Sequence, residues 1–319
     1  MEKKLAVVAV GGNSLIKDKD SVEIDDQYKV AKETITHLAD MIISGWTIVI
    51  VHGNGPQVGF ALQRSEIAYR SEGVHRLPLH FYDAQTQGTI GYILQQNLQN
   101  ELAKREIDKA VVTLVTQVLV DKDDQAFQNP SKPIGTFMSE ELARQQAKEK
   151  NWEIKEDAGR GWRRVVASPK PQEIVELGSI KELLKFGQIV ITVGGGGIPV
   201  IKEKGTLKGV EAVIDKDLAA ALLANQLGAD LFLISTAVEK VALNFGKENE
   251  QFLDKLSLEE AQAYLAEGKH FAQGSMAPKI EAAINFLSNG GKQVLITKPE
   301  AISQALEAKT GTWITVTEK

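Results

Sequence analysis

Two lysines precede helix-forming stretches at places where helix electrostatics disfavours a cation. Lys216 comes just before an apolar stretch that Asp217 is expected to cap. Lys279 follows Pro278 in the first turn of a second stretch with helical spacing. A positive charge at a helix N-terminus costs up to about 1 kcal/mol. Each lysine is therefore either a solvated surface group or a group directed at an anion.

Glycine-rich loops follow three apolar runs of the sequence. They are GGNS (11–14), HGNGPQVG (52–59) and GGGGIPV (194–200). Without a Cβ, glycine lets backbone N–H groups converge on an anion, and a following helix adds favourable potential. Pro56 suits the first position of such a helix. Tight turns need the same residues, but three loops at one sheet edge favour a site for a phosphate.

A third lysine, Lys132, lies between Pro130 and Pro133 in a stiff loop. It is either an exposed loop charge or an ammonium group held at a fixed place. Lysines, backbone donors and Mg²⁺ are the parts that phosphoryl transfer needs, because its catalysis is mostly positioning and charge neutralisation. The sequence lacks both the dinucleotide pattern G-x-G-x-x-G and the P-loop pattern, which argues against an oxidoreductase and a P-loop enzyme.

Apolar runs alternate with helix-like stretches along the chain. Predicted strands cover 5–10, 46–51, 111–120, 188–193, 230–235 and 293–297. Predicted helices cover 25–44, 84–105, 172–186, 217–227, 258–267 and 278–287. Continuously apolar strands between helices indicate an α/β fold with a mainly parallel sheet covered on both faces. The polar segment 122–171 is too long for a core crossover, so we expect a protruding excursion or lid with a helix near 139–150.

Composition narrows the classes of partner. The 319 residues include no cysteine, which excludes disulfides. The net charge of −5 argues against nucleic-acid binding. No segment approaches the roughly 18 apolar residues that span a membrane. We therefore expect a cytoplasmic protein with neither nucleic acid nor membrane as partner. The histidines, including those at 52, 75, 80 and 270, lack zinc-like spacing and are expected in loops or on the surface, so no metal site built from side chains is predicted.

A run of motifs in order along almost the whole chain resembles the carbamate kinases of the amino-acid kinase superfamily. The motifs are GGN, HGNGPQVG, QGTIGY, QNPSKPIG, EDAGRGWRRVVASPKP, GGGGIPV, GVEAVIDKD, TAVEKVALNFGKENEQ and GSMAPK. The resemblance implies one domain (1–319), an open αβα sandwich with a central, mainly parallel sheet and a small protruding subdomain at about 122–171. The half up to about 186 would bind carbamate or carbamoyl phosphate, and the half from about 187 would bind ATP or ADP with its Mg²⁺. A homodimer is also implied.

The resemblance assigns roles to residues at matching motif positions. Four residues would be catalytic. Lys216 and Lys279 would contact the transferring phosphoryl group and the nucleotide phosphates, and Asp217 would orient these two lysines. Lys132 would reach the phosphoryl group from the subdomain. The carbamate and phosphoryl oxygens would be held by Gly11, Gly12, Asn13, Gly53, Asn54 and Gly55. The nucleotide would be bound by Asp215, Ala237, Val238, Phe245, Ser275 and Met276.

The resemblance implies the reversible reaction ATP + carbamate ⇌ ADP + carbamoyl phosphate, which a catabolic cell could run toward ATP. Ser14, Thr86 and Ala277 depart from the usual family motifs and bear on acceptor specificity. Two alternatives stay open: a kinase of the same fold for another small carboxylate or carbamate-like acid, and a catalytically weak sensor of carbamoyl phosphate or nucleotide. Retention of the three lysines and Asp217 argues against the sensor.

Overall fold

An eight-stranded sheet forms the centre of the computed structural model, which describes residues 4–11, 23–156, 161–272 and 274–316. Its strands are β1 (Leu5–Val10), β2 (Thr47–His52), β3 (Val111–Thr113), β9 (Ile189–Ile191), β12 (Leu231–Ser235), β15 (Lys255–Ser257), β16 (Gln293–Thr297) and β17 (Thr312–Thr315). Their order is β15-β17-β16-β12-β1-β2-β9-β3. Within these residues all neighbouring pairs are parallel except β16 and β17. The predicted α/β class with a mainly parallel central sheet is confirmed.

Helices cover both faces of this sheet. They are α1 (Ile24–Ile43), α2 (Gly55–Glu72), α3 (Leu79–Lys104), α4 (Glu140–Lys150), α5 (Leu177–Lys185), α6 (Lys216–Leu227), α7 (Leu258–Glu267), α8 (Met276–Ser288) and α9 (Ile302–Leu306). Alternate residues of β1 enter different cores: Ala6, Val8 and Val10 pack with α1 and α3, whereas Val7 and Ala9 pack with α6 and α8. Burial on both faces explains why β1 is apolar throughout. No helix in the described part of the chain is both long and apolar enough to span a lipid bilayer.

A second, four-stranded sheet shows that the predicted strand at 111–120 is wrong. This sheet contains β4 (Gln117–Val120), β8 (Pro171–Ile174), β10 (Ile198–Glu203) and β11 (Thr206–Gly209), in the order β11-β10-β4-β8. The chain thus leaves the central sheet after Thr113 and enters another at Gln117. The Thr116 N–H between them donates to Gln87 Oε1 at 2.8 Å, so a side chain of α3 replaces a strand partner at the break.

The predicted helix at 172–186 is wrong in its first part. Pro171–Ile174 pairs antiparallel with β4 as an edge strand, where a proline is tolerated, and the helix begins only at Leu177. Glu176 explains the boundary, because its carboxylate accepts hydrogen bonds from both the backbone and the side chain of Gln117 at 2.7 and 2.8 Å. Tertiary pairing therefore overrides the local helical pattern.

The segment 122–171 carries a small sheet of its own. Its strands are β5 (Lys132–Met138), β6 (Glu153–Glu156) and β7 (Trp162–Val166), in the order β5-β7-β6. The predicted polar helix is α4, whose N-cap Ser139 accepts from the Leu142 N–H. Helix α2 approaches β5 so closely that a Cβ on Gly59 would lie 3.1 Å from the Gly135 Cα. A further hairpin consists of β13 (Val241–Leu243) and β14 (Gln251–Leu253).

Candidate active site

Asp217 is the centre of a buried cluster of charged groups. Its Oδ1 accepts from Lys216 Nζ at 2.5 Å and its Oδ2 accepts from Lys279 Nζ at 3.0 Å. Burial alone would raise the pKa of Asp217, but the two ammonium groups outweigh this effect and hold that pKa well below its usual range. Burial lowers the pKa of Lys216, and Asp217 partly offsets this shift. The carboxylate thus holds two ammonium groups side by side at the starts of two helices.

The residue that caps α6 is Asp215, so the expected cap at Asp217 is wrong. Asp215 has extended backbone angles and its Oδ1 accepts from the Asp217 N–H at 2.9 Å and the Leu218 N–H at 3.4 Å. The Asp217 side chain is instead turned toward Lys216 and Lys279. Lys279 lies in the first turn of α8, as the sequence predicts, and Lys216, which was expected just before α6, is its first residue.

Lys132 joins the cluster from the three-stranded sheet. Its Nζ lies 2.5 Å from the second carboxylate oxygen of Asp215. The cluster therefore combines three ammonium groups with two carboxylates, and the side chains of Lys216 and Lys279 are only 12% and 14% exposed. An excess of buried positive charge is costly without a counterion, so the cluster favours an anionic ligand.

Two of the expected anion donors are used within the fold. The Gly11 N–H donates to Ser235 O at 3.1 Å, and the Gly53 N–H donates to Val10 O at 3.0 Å. The interpretation that these two N–H groups face an anion is therefore wrong, because both extend the central sheet. Gly55 differs, because it is the first residue of α2 and its N–H has no partner one turn earlier. The predicted contacts of Gly12 and Asn13 lie outside the described residues, as does Ser14.

The loop after β9 packs directly on the end of β2. A Cβ on Gly194 would lie 2.3 Å from His52 Nε2, and a Cβ on Gly195 would lie 2.2 Å from Asn54 Nδ2. Gly195 also has a φ of +68°, which disfavours any side chain. Gln87 Nε2 fixes the loop further by donating to Gly194 O at 3.0 Å. The loops around residues 11, 53 and 194 thus meet at the carboxyl ends of the central strands, where open α/β sheets bind ligands.

His52 is fully buried, so its expected place in a loop or on the surface is wrong. It is the last residue of β2, and the Gly194 loop covers its ring. Burial lowers the pKa of His52 to about 4, and the nearby charge of Lys216 adds to this effect. The ring is therefore neutral near pH 7. Within the described ranges, no group of three or more His, Asp or Glu side chains is arranged to hold a metal ion.

A buried amide and carboxyl group lie beside these loops. Asn54 Nδ2 donates to Asp83 Oδ1 and to Thr86 Oγ1, both at 3.0 Å. Burial raises the pKa of Asp83 well above its ordinary value, which the hydrogen bond from Asn54 opposes and the charge of Glu211 reinforces. Our sequence reasoning missed Asp83. The available signal was its position on the same helical face as the apolar Leu79 and Ile90.

The remaining candidates lie around the ends of β12 and α8. Ala237 and Val238 follow β12, and Phe245 occupies the turn between β13 and β14 with 66% of its surface exposed. Ser275 is the N-cap of α8, and Met276 is its first residue. Because the first turn of α8 also carries Lys279, this helix start connects the expected nucleotide residues to the lysine cluster.

Comparison with known proteins identifies the class. The chain belongs to the amino acid kinase family, whose sequence profile matches residues 4–298. It is 49% identical to the carbamate kinase of Pyrococcus horikoshii over 97% of this chain and 98% of that protein. It is 52% identical to the carbamate kinase-like protein YqeA of Escherichia coli over 98% and 99% of the two chains. The structure of carbamate kinase from Giardia lamblia bound to AMP-PNP matches with a TM-score of 0.91 at 41% identity and covers 99% of both chains.

Proposed function

We propose that this protein is a carbamate kinase, which transfers the γ-phosphoryl group of ATP to carbamate and works in reverse with carbamoyl phosphate and ADP. The observation that carries the proposal is the arrangement of Lys216 and Lys279 on opposite oxygens of the buried Asp217 carboxylate. Two ammonium groups fixed side by side suit a phosphoryl group whose charge is spread over several oxygens. The similarity to carbamate kinases over almost the whole chain supports the choice of acceptor.

In the proposed reaction a carbamate oxygen attacks the γ-phosphorus in line. The new O–P bond forms while the bond from phosphorus to the β,γ-bridging oxygen breaks, and that electron pair stays on ADP. Carbamate is already an anion, so no side chain has to accept a proton. A neutral, buried His52 is compatible with this requirement. Lys132, Lys216 and Lys279 supply positive charge, and Asp217 keeps two of these groups in place before the substrate arrives.

We propose that Mg²⁺ enters with the nucleotide. Both oxygens of Asp217 and one oxygen of Asp215 already bind lysines, so the phosphates would supply most of the metal's oxygen ligands. When bound, the ion neutralises charge on the β- and γ-phosphates. The residues present fit a metal carried by the nucleotide better than a metal held by a protein cage.

The proposed nucleotide position lies at the carboxyl end of β12 and the start of α8, with Asp215, Ala237, Val238, Ser275 and Met276 near it. The ring of Phe245 supports this position, because an aromatic side chain that is 66% exposed offers a surface on which a base can stack. Asn54 and Gly55 would face the carbamate side. An increased KM for ADP in Phe245→Ala with an unchanged kcat would support the assignment, and an unchanged KM would contradict it.

We also propose a homodimer. Phe81 and Tyr92, which are 47% and 56% exposed, lie eleven residues apart on α3 and therefore face the same side of that helix. Exposed aromatic side chains are common at protein interfaces. Light scattering coupled to size-exclusion chromatography gives the mass directly. A mass of one chain, 34.8 kDa, would contradict the dimer.

The test of function is a coupled assay of ATP formation from ADP and carbamoyl phosphate, with acetyl phosphate compared in the same assay. We expect ATP from carbamoyl phosphate and a much smaller kcat/KM for acetyl phosphate. Lys279→Ala serves as the site variant, and Lys208→Ala as its control, because Lys208 forms an exposed ion pair with Glu203. No ATP from carbamoyl phosphate, or equal activity of Lys279→Ala and Lys208→Ala, would reject the proposal.

A further inference from the structure

The hydrogen bonds around the side-chain amide of Asn54 favour one of its two orientations. Asn54 is 5% exposed and lies at the N-terminus of α2, between α3 and the Gly195 loop. Its nitrogen Nδ2 lies 3.0 Å from both Asp83 Oδ1 and Thr86 Oγ1. The orientation matters because an amide nitrogen donates to anionic oxygens, whereas an amide oxygen accepts from N–H or O–H groups.

Thr86 decides between the two orientations. A hydroxyl group has one hydrogen, and that of Thr86 is directed at the Asp83 backbone carbonyl at 2.9 Å, which can only accept. The lone pairs of Thr86 Oγ1 therefore face Asn54. The Asn54 atom beside them must be a donor, so it is Nδ2 and not Oδ1.

Asp83 uses the second N–H of the same nitrogen. Its Oδ1 accepts from Asn54, while its other oxygen is buried and has no hydrogen-bond partner among the described residues. Because Asp83 is fully buried and its pKa is raised, a proton fits on Oδ2 and leaves Oδ1 as an acceptor. The ionised carboxylate and the acid protonated on Oδ2 therefore both keep Nδ2 in place.

Asn54 Oδ1 is left as the functional end of the amide. Both hydrogens on Nδ2 are used, and no hydrogen bond to Oδ1 occurs within the residues that the structure describes. A Cβ at position 195 would lie 3.1 Å from Oδ1 and 2.2 Å from Nδ2, so the glycine at this position leaves room around the amide. The site thus offers a carbonyl oxygen at the N-terminus of α2, next to the Gly195 loop.

We propose that Asn54 presents Oδ1 to a hydrogen-bond donor on the phosphoryl acceptor, and that Asp83 and Thr86 are the positioning residues that fix this orientation. The inference rests on the proposed function and changes the expected role of Asn54, which would recognise the amino group of carbamate instead of its oxygens. An acid with a methyl group in place of the amino group would displace water from Asn54 Oδ1 without offering it a hydrogen bond. Sites built to bind a substrate N–H reject analogues that lack it for this reason.

The test compares carbamoyl phosphate with acetyl phosphate, which replaces the amino group by a methyl group, in ATP formation from ADP. The quantity measured is the ratio of the two kcat/KM values in the wild type, Thr86→Val and Thr86→Ser. Valine removes the hydroxyl that fixes Nδ2, so the ratio should fall about tenfold, the usual scale for one neutral hydrogen bond. Serine keeps the hydroxyl and should retain the ratio. The KM for ADP should not change in either variant.

Melting temperature and ADP affinity of each variant control for folding. If Thr86→Val does not fold, the pair Asp83→Leu and Asp83→Asn replaces it, because leucine removes the acceptor for Nδ2 and asparagine retains one. If the wild type is active and the ratio of kcat/KM for carbamoyl phosphate to that for acetyl phosphate is the same in all folded variants, this inference is overturned. The proposed function would then still stand. A wild type that uses acetyl phosphate as well as carbamoyl phosphate would also overturn it. A wild type that forms no ATP from carbamoyl phosphate would overturn the proposed function and the inference with it.

Discussion

Lys132 Nζ lies 2.5 Å from Asp215 Oδ2, so one ion pair joins the first residue of β5 to the residue that caps α6. Asp215 uses its other oxygen for the helix cap. The Asp215 carboxylate thus connects the three-stranded sheet to the start of α6. An anion that binds Lys132 would compete with Asp215 for the same ammonium group.

Asp215→Asn tests this connection. Asparagine is as good an N-cap as aspartate, so α6 should keep its start while the ion pair with Lys132 is lost. We expect faster tryptic cleavage within 132–171 in the ligand-free protein, by up to about fivefold, the scale of a partly exposed pair. Mass spectrometry of the digest identifies the sites. Glu203→Gln, which breaks an exposed pair with Lys208, is the control, and equal digestion of both variants would show that the Lys132 pair restrains nothing.

Lys216→Ala and Lys279→Ala should each lower kcat by roughly 10²–10³ with a much smaller effect on the KM for carbamoyl phosphate. Charges that act mainly on the transition state appear in kcat, and loss of one preorganised partner has about this magnitude. Steady-state ATP formation measures both constants, with Lys208→Ala as the exposed control. Near-native kcat in either site variant would remove that lysine from the catalytic assignment.

The stability contributed by Asp217 should depend on pH. Its folded pKa is depressed, so its contribution is present above the unfolded value of about 3.9 and is lost as pH falls below that value. Asp217→Asn leaves Lys216 and Lys279 without their counterion and should cost about 3–5 kcal/mol near pH 7. Urea unfolding between pH 7 and 3 measures the free energy of unfolding of both proteins. The difference between Asp217→Asn and the wild type should become smaller below pH 4. A difference that stays constant with pH would contradict the depressed pKa.

His52 predicts a second pH effect at higher pH. Its pKa is lowered from 6.5 to about 4, so the unfolded chain binds a proton that the native state excludes. The stability associated with neutral His52 is full above pH 6.5 and is lost as pH falls toward 4, by up to about 3 kcal/mol. His52→Gln should flatten the dependence of unfolding free energy on pH in this window. The exposed His75→Gln is the control; a slope in His52→Gln as steep as in the wild type would refute a neutral buried ring.

A comparison of Gly195→Ala with Gly205→Ala separates the effect of a steric clash from the effect of backbone strain. Gly195 and Gly205 both have positive φ, +68° and +83°, so alanine should cost about 1–2 kcal/mol at either site. A Cβ at 195 also meets Asn54 Nδ2 at 2.2 Å, whereas a Cβ at 205 meets nothing within 4 Å. We expect Gly195→Ala to melt at a lower temperature and to lose turnover, and Gly205→Ala to keep its turnover. Equal behaviour of the two variants would show that the approach to Asn54 is not tight.

Local patterns predicted the elements whose boundaries depend on nearby residues. The strand at 293–297 and the helix at 258–267 have the predicted bounds, because one is a short apolar run and the other carries its own capping box at Ser257 and Glu260. The break within 111–120 depends on Gln87, which is distant in sequence. The burial of His52 likewise depends on the Gly194 loop, which is distant in sequence.

The choice of cap on α6 shows a different limit. Asp215 and Asp217 are the same residue type two positions apart, and both satisfy the sequence signal for a cap. Lys279, on another helix, pairs with Asp217 and leaves Asp215 to cap. The positions of the two lysines at helix starts were predictable from the sequence. Their pairing with one shared carboxylate, Asp217, could be seen only in the three-dimensional structure.

The excess of one positive charge in the cluster of three lysines and two carboxylates has a consequence for the lifetime of the protein. Any phosphate-bearing ligand that neutralises this excess binds the native state and not the unfolded chain, so it raises the free energy of unfolding in proportion to the logarithm of its concentration. Proteolysis in cells often follows the population of opened molecules. The abundance of this chain should therefore rise when its substrates accumulate and fall when they are exhausted, without any change in synthesis.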